Sequence, residues 1–191
     1  MKKILILLAS AFLYTAVSAQ TTWNADKNHS NVKFTVTHLL VNDVDGTFKN
    51  VDATIVAAKP DFSDAKVSFV VQTASLSTDN ENRDKHLSSA DFFDVANKPT
   101  LNFTSTGITK TSDKHYALKG NLTLAGVTKP VTFDLWYRGT ITNPMSKAPD
   151  AGFSVTGTIN RSDFNFGSKF PNAVVSDEVT IKANGEFGKA K

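Results

Sequence analysis

The chain has 191 residues, no cysteine and a formal net charge of +3 at pH 7. The lack of cysteine excludes a disulfide framework and a lipidated cysteine. The length suits a short leader followed by one domain.

The N-terminus predicts a secretory signal peptide over residues 1–19. It has a basic start at Lys2 and Lys3, an apolar run over residues 4–17, and small residues Ser18 and Ala19 before the expected cleavage site. The apolar run is short for a membrane span, and no later segment is long enough to be one. We therefore expect a periplasmic protein that is neither a lipoprotein nor membrane-spanning, with residues 20–191 as its domain.

Removing the signal peptide also changes the charge balance. The 21 basic residues lose Lys2 and Lys3 and become 19, against 18 acidic residues. A balance this close to neutral, without a clustered basic patch, excludes a general nucleic-acid surface.

The stretch after His29 predicts the first long strand. Val32, Phe34, Val36 and His38 share one parity, and polar residues take most of the other. This period of two is typical of a strand with one dry and one wet face, whereas a helix would scatter the same residues around its circumference.

The segment NDVDG, residues 42–46, predicts an Asp-Gly turn into the next strand. It half-resembles a calcium loop, with acidic residues at several ligand positions. Val41 stands at the first ligand position, however, and strands rather than helices flank the segment. We therefore expect a turn and no metal site.

Residues 79–94 break the strand rhythm. The stretch DNENRDKHLSSADFFD lacks Gly and Pro, and Asp79 is placed to cap a helix over Asn82 to Leu87 that ends near Ser88. Phe92 and Phe93 are expected to pack back onto the strands.

The remaining chain returns to alternating segments separated by turns, one of them at Ala125-Gly126. Together these patterns predict about eight long strands. Short turns between strands favour an antiparallel barrel. A sandwich of two sheets stays open, because alternation does not distinguish closure from stacking.

Four blocks carry a family resemblance. They are WNADKNHSNVKFTVTHLLV, RDKHLSSADFFDVANKPTLNFTS, GNLTLAGVTKPVTFDL and INRSDFNFG. In this order they resemble the YceI-like family of periplasmic polyisoprenoid-binding proteins, over nearly the whole mature chain.

The resemblance implies an all-β fold, an antiparallel eight-stranded lipocalin-like barrel, here with a short helical segment near residues 80–93. It also implies a long isoprenoid, a quinone, a prenyl phosphate or a similar amphiphilic lipid as the bound ligand, and no other cofactor.

The interior of such a barrel is only wide enough for side chains or one slender ligand. Composition alone favours a core filled by side chains, whereas the resemblance favours a guest. For a guest, the expected apolar lining is Val32, Phe34, Val36, Phe48, Phe69, Phe93, Phe103, Leu118, Phe133, Leu135, Phe153 and Phe166.

Four polar residues are candidates for binding a head group. His38 lies on the apolar parity of the first strand, although it can also be a structural histidine. Arg83 and His86 could face a phosphate or quinone head, or form local salt bridges with nearby aspartates. Arg161 is the fourth candidate, and pairing with Asp163 is its alternative role.

The sequence does not favour an enzyme. GFSVTG only briefly resembles a nucleophile elbow, because Ser154 lies in an alternating strand. No two histidines have close metal-ligand spacing. Two functions remain: a periplasmic lipid carrier or scavenger, and a filled-barrel stress or interaction protein without a lipid ligand. A transient membrane contact and a homodimer stay open as partner predictions.

Overall fold

The structure is a computed structural model that describes residues 19–190. The predicted signal peptide falls almost wholly on residues 1–18, outside the described range, and stays a prediction. Within residues 19–190, no helix is long and apolar enough to cross a bilayer.

The described chain is built almost entirely from antiparallel strands. In chain order they are β1 (Thr21–Ala25), β2 (Asn31–His38), β3 (Asn42–Phe48), β4 (Val51–Ala57), β5 (Lys66–Gln72), β6 (Leu76–Ser77), β7 (Thr100–Ser112), β8 (His115–Leu124), β9 (Val127–Thr142), β10 (Pro149–Asn160) and β11 (Glu178–Lys189). One short α-helix, α1 (Glu81–Leu87), interrupts them among the described residues.

The strands close into a barrel of eight, which confirms the predicted fold class. The ring runs β1-β4-β5-β7-β8-β9-β10-β11 and returns to β1. Toward one end, β2 continues β1, β3 continues β4, and β6 continues β5. A 3₁₀ turn, Lys27–His29, separates β1 from β2, and β11 pairs with both. Closure removes the free sheet edges that a sandwich would leave.

The predicted parity of β2 is the one observed. Its apolar side chains face the interior, while Thr35 and Thr37 point outward and donate hydrogen bonds to Asp45 and Asp43 of β3 at 2.6 and 2.9 Å. These cross-strand bonds use the two aspartates that half-resembled calcium ligands.

The predicted Asp-Gly turn at residues 42–46 is wrong, because that segment forms most of β3. The chain reverses earlier, at Leu39 and Leu40, which both have positive φ. Gly46 lies in the strand because the Phe34 ring occupies the space where its Cβ would be. The Asp45-Gly46 pair therefore serves packing rather than reversal. The turn at Ala125-Gly126 is confirmed, with positive φ at both residues.

The predicted helix exists, but its cap is one residue later than expected. The Asn80 side chain accepts a hydrogen bond from the Arg83 amide at 3.0 Å. Asp79 instead has a φ of +56° and lies outside the helix. Phe93 is buried and packs edge-on against Phe48, as predicted.

One end of the barrel is filled by aromatic side chains. The Phe62 ring, on the loop between β4 and β5, contacts the rings of Trp23, Tyr137 and Phe153 at centroid distances of 4.9–5.4 Å. The buried Tyr116 hydroxyl donates to the Asp61 carbonyl at 2.5 Å and anchors the same loop. We call this region the filled end.

Candidate apolar cavity

The opposite end of the barrel contains a cavity of about 310 Å³. Its wall is almost wholly apolar. Strand residues that line it are Val32, Phe34, Val36, His38, Val44, Phe48, Phe69, Leu101, Leu122, Leu124, Phe133, Ile159, Val179 and Ile181. We call this region the hollow end. Its volume is at the lower limit of ligand-binding pockets, which measure about 300–1,000 Å³.

Two segments cover the hollow end. The lid, residues 78–99, contains α1, and the capping loop, residues 161–177, connects β10 to β11. The lid is needed because β5 pairs with β7 only as far as Gln72 and Thr100, whereas β6 pairs with β3. The barrel wall is thus incomplete on that side.

An aromatic cluster joins the lid to the capping loop. Phe92 of the lid stacks on Phe170 at 4.9 Å, and Phe93 meets Phe166 edge-on at 4.7 Å. His86 packs edge-on against both Phe92 and Phe170. All five rings also line the cavity, so the cluster that fastens the cover is part of the wall.

A salt bridge fastens the same two segments from outside. Lys169 Nζ lies 2.5 Å from Asp91 Oδ1, and His86 Nε2 lies 4.0 Å from the other carboxylate oxygen. The hydrogen bond from Lys169 is the main reason why the pKa of Asp91 is lowered from its ordinary value of 3.8. The pair is largely exposed, so it adds less to the cover than the rings do.

Arg83 lines the cavity from the helix. Its Nε and one Nη donate to the side chain and carbonyl of Thr78 at 2.7 and 2.6 Å. The Thr78 hydroxyl donates in turn to Asp84 at 2.5 Å. Arg83 forms no salt bridge within the described residues, and its other Nη has no hydrogen bond there. Because Nε and one Nη fix its position, Arg83 can present that free nitrogen to an anionic or carbonyl oxygen.

Arg161 also reaches the cavity wall, but the protein uses all its donors. The side chain is 4% exposed and donates to the carbonyls of Ser176, Phe166, Gly167, Phe170 and Val175 and to the Asn172 side chain, at 2.7–3.2 Å. The alternative pairing with Asp163 is wrong. Arg161 instead holds the capping loop in shape, with no donor left for a head group.

His38 and His86 are both exposed lining residues, so the cavity reaches the surface beside them. His38 lies at the end of β2, where its backbone pairs with Val175 of the capping loop. Its imidazole has no hydrogen bond within residues 19–190. Neither histidine is a buried structural residue.

The structure brings most of the predicted lining to one cavity. Eight of the predicted apolar residues line it: Val32, Phe34, Val36, Phe48, Phe69, Phe93, Phe133 and Phe166. The four polar candidates, His38, Arg83, His86 and Arg161, line it as well. Ligand binding by His38, Arg83 and His86 stays a prediction, whereas Arg161 has no free donor for a head group.

Four predicted lining residues do not line the cavity. Phe103, Leu118, Leu135 and Phe153 are buried in the packed core. Phe153, for example, contacts Phe62 and Phe187 at the filled end, and Phe103 stacks on Phe69 at 5.1 Å. They have the expected inward parity, but they belong to the packed core. Phe103 contacts the lining residues Phe69 and Phe133, so this part of the core forms the floor of the cavity.

Sequence reasoning missed the capping-loop residues Phe170, Val174 and Val175. No periodic pattern marks Phe170 and Val174, because they lie on irregular backbone on either side of Pro171. Val175 shares the parity of Val179 and Ile181, but it lies outside the strand, in the capping loop. By contrast, Leu101, Leu122 and Ile181 belong to strands whose alternation was visible. Within residues 19–190, no three His, Asp or Glu side chains approach closely enough to hold a metal ion.

Comparisons of the sequence and of the structure with known proteins point to the same family. The sequence profile of the YceI-like domain matches residues 23–187. A UPF0312 protein from Pseudomonas putida is 39% identical over 170 residues, which cover 87% of this chain and 86% of that protein. A UPF0312 protein from Staphylococcus epidermidis is 35% identical over 87% of this chain and 94% of its own.

Solved structures have the same fold. The crystal structure of the Campylobacter jejuni YCEI protein is 30% identical with a TM-score of 0.74, over 81% of this chain and 90% of that one. A polyisoprenoid binding domain from Saccharophagus degradans, 14% identical with a TM-score of 0.65, covers 88% of this chain and 98% of its own. At that identity its likeness shows the fold alone.

Proposed function

Because the chain belongs to the YceI-like family, we propose that it binds the tail of a polyisoprenoid or similar long-chain amphiphile at the hollow end and carries or sequesters it in the periplasm. The observation that carries this proposal is the apolar cavity of about 310 Å³ with Arg83 at its wall. The name of the Saccharophagus degradans domain, a polyisoprenoid binding domain, supports the same ligand class.

The cavity size limits how the ligand is held. A tail of about 40 carbons would gain roughly 0.8 kcal/mol for each buried CH₂. The sum exceeds the roughly 18–21 kcal/mol at which affinities saturate, so much of it must be offset by ordering the tail and removing it from a membrane. A cavity at the lower size limit for ligands holds only part of such a tail unless the lid parts from the capping loop.

The competing phase for the ligand is the membrane, which is as apolar as the cavity. Exchange between them therefore discriminates weakly among tails of similar chemistry. Length, width and head group are the properties that the site can select. Arg83 suits a phosphate or a quinone carbonyl, because one of its Nη donors is free and the other donors fix its direction.

The cellular setting is part of the proposal. The signal peptide over residues 1–19 would direct the chain to the periplasm, where a carrier meets both membranes. Loading requires a transient membrane contact, and a homodimer remains compatible with the fold. The proposal includes no catalytic step.

Native mass spectrometry of gently purified protein, followed by organic extraction, tests the proposal. We expect a lipid adduct at close to one per chain, or uptake of added prenyl lipid by adduct-free protein. A chain that is adduct-free and also refuses added prenyl lipids would instead favour the filled-barrel stress or interaction protein.

Arg83→Ala tests the head-group assignment. We expect weaker retention of a prenyl phosphate and a smaller effect on the corresponding neutral prenyl alcohol, with little change in thermal stability. Arg83→Lys is the matched control, since it keeps the charge but loses the fork of donors. If Arg83→Ala unfolds the chain and leaves uptake per folded molecule unchanged, the residue has a structural role only.

A further inference from the structure

The turn between β2 and β3 exposes three consecutive apolar side chains. Leu39, Leu40 and Val41 are 52%, 70% and 84% exposed. Isolated exposed apolar residues are ordinary, but a run at a protruding turn is a feature that needs a cause. We call these residues the apolar tip.

Turn geometry does not explain the two leucines. Leu39 and Leu40 have φ values of +51° and +61°, a left-handed pair that two-residue hairpins usually fill with Asn and Gly. Bulky residues are rare in this region of φ. Residues kept in such conformations concentrate at functional sites. Leucine here serves neither the turn nor the core.

The apolar tip is continuous with the rim of the cavity. His38, the residue before it, is an exposed lining residue. The Leu39 amide donates to the Val174 carbonyl at 3.0 Å, and His38 pairs with Val175. Both valines also line the cavity. The tip therefore projects from the place where a lipid tail would enter or leave.

We propose that the apolar tip is a membrane-docking element that inserts into the interface of a lipid bilayer and holds the mouth of the hollow end against it. The inference rests on the proposed function for its purpose, because a carrier that exchanges lipid needs its mouth at the membrane. Docking itself is measurable without any isoprenoid.

A protein partner fits the tip less well than a bilayer does. A stable protein interface uses about 20–30 residues from each side, and three side chains on a protruding hairpin supply too little area. A bilayer interface accepts apolar side chains without a complementary shape. No Lys or Arg occurs between His38 and Phe48, so binding should depend on apolar insertion and respond little to salt.

The test uses the purified full-length export product, with its N-terminus checked by mass spectrometry, and vesicles of phosphatidylcholine without isoprenoids. Leu39→Asn with Leu40→Gly removes two of the three side chains of the apolar tip and should not unfold the chain, because Asn-Gly suits the left-handed turn. Met145→Ser is the matched control, since Met145 is 88% exposed in the loop after β9, at the filled end. We expect the double variant to lower the vesicle-bound fraction about tenfold and the control to leave it unchanged.

Val41→Trp gives an independent readout. Val41 is exposed and does not have positive φ, so tryptophan fits there. Its emission should shift to shorter wavelength with vesicles, as expected for an interfacial indole. The proposal would be overturned if wild type and the Asn-Gly variant sedimented equally with the vesicles. It would also be overturned if vesicles did not shift the emission of the Val41→Trp variant. So would an Asn-Gly variant whose oligomeric state alone changes, because a second copy would then cover the tip. Native mass spectrometry of the same variants separates this result from lipid uptake.

Discussion

The two ends of the barrel use the same strands but are packed differently. At the filled end, the rings of Trp23, Phe62, Tyr137, Phe153 and Phe187 meet across the bore. At the hollow end, the strand wall mixes valine, leucine, isoleucine and phenylalanine side chains around an open space, and the cover comes from the lid and the capping loop. The difference shows that one eight-stranded barrel can combine a packed core with an apolar cavity.

The loops determine which end of the barrel is filled and which is hollow. The loop between β4 and β5 inserts the Phe62 ring into the filled end, and the Tyr116 hydroxyl anchors that loop. The lid and the capping loop instead lay their rings across the hollow end, against one another. We therefore expect substitutions at the filled end to cost stability and substitutions at the hollow end to change ligand uptake.

Phe153→Ala should give the largest effect. Its ring is buried among Phe62, Tyr137 and Phe187, so truncation leaves a cavity and costs about 3–5 kcal/mol of unfolding free energy. Urea denaturation measures the loss. Lipid uptake per folded molecule should not change, because Phe153 does not line the cavity. A selective loss of uptake would place the ligand deeper than the hollow end.

Two glycines give a matched pair. A Cβ on Gly120 would collide with the Phe103 ring and lie 2.6 Å from the Thr104 carbonyl oxygen, whereas the three atoms nearest to a Cβ on Gly46 all belong to the Phe34 ring. Phe34 borders the cavity and has open space beside it, whereas the Thr104 carbonyl belongs to the backbone of a paired strand. Gly120→Ala should therefore cost about 1–3 kcal/mol.

Gly46→Ala should cost less than Gly120→Ala and reduce uptake, because the displaced Phe34 ring takes up ligand space. Thermal denaturation and native mass spectrometry of both variants check the pair. Equal destabilisation by the two alanines would mean that the hollow end is packed as rigidly as the floor.

Val36→Phe tests the empty space directly. Val36 lines the cavity, so a larger ring can enter the void and the unfolding free energy should change by less than about 1 kcal/mol. Ligand uptake should fall strongly. Val67→Phe is the control at a buried core position, where overpacking should cost about 1–3 kcal/mol. Val36→Phe as harmful as Val67→Phe would contradict the division into two ends.

The strand faces could be predicted from the sequence, whereas the floor of the cavity could not. Phe133 and Phe153 show the same alternation, yet Phe133 borders the cavity and Phe153 is packed beyond it. Their difference depends on Phe62, a loop residue with positive φ that no periodic pattern identifies.

The polar candidates show the same limit. The sequence offers Arg83 and Arg161 as two candidates for binding a head group. It does not predict that the capping loop folds back to use every donor of Arg161 while one Nη of Arg83 stays free. Long-range backbone acceptors decide this difference.

The smallest expected effect is the pH dependence of the cover, which is opposite in sign to that of the link between β1 and β2. The hydrogen bond from Lys169 lowers the pKa of Asp91 below 3.8, so the pair stabilises the cover above about pH 4 and is lost as pH falls through the lowered value. At the β1–β2 link, hydrogen bonding to Asp26 raises the pKa of His29 above 6.5. That pair stabilises the fold at lower pH and is lost as pH rises through the raised value.

Amide hydrogen exchange at residues 91–95 measures the first effect, with Lys169→Met as the reference at each pH. Wild type should be better protected than this variant at neutral pH, and the difference should shrink as pH falls through the lowered pKa of Asp91. Because the pair is exposed, the difference will be modest. If the two proteins are equally protected at neutral pH, the aromatic cluster rather than the charge pair sets the protection, since the rings of Phe92 and Phe170 are present in both and do not titrate.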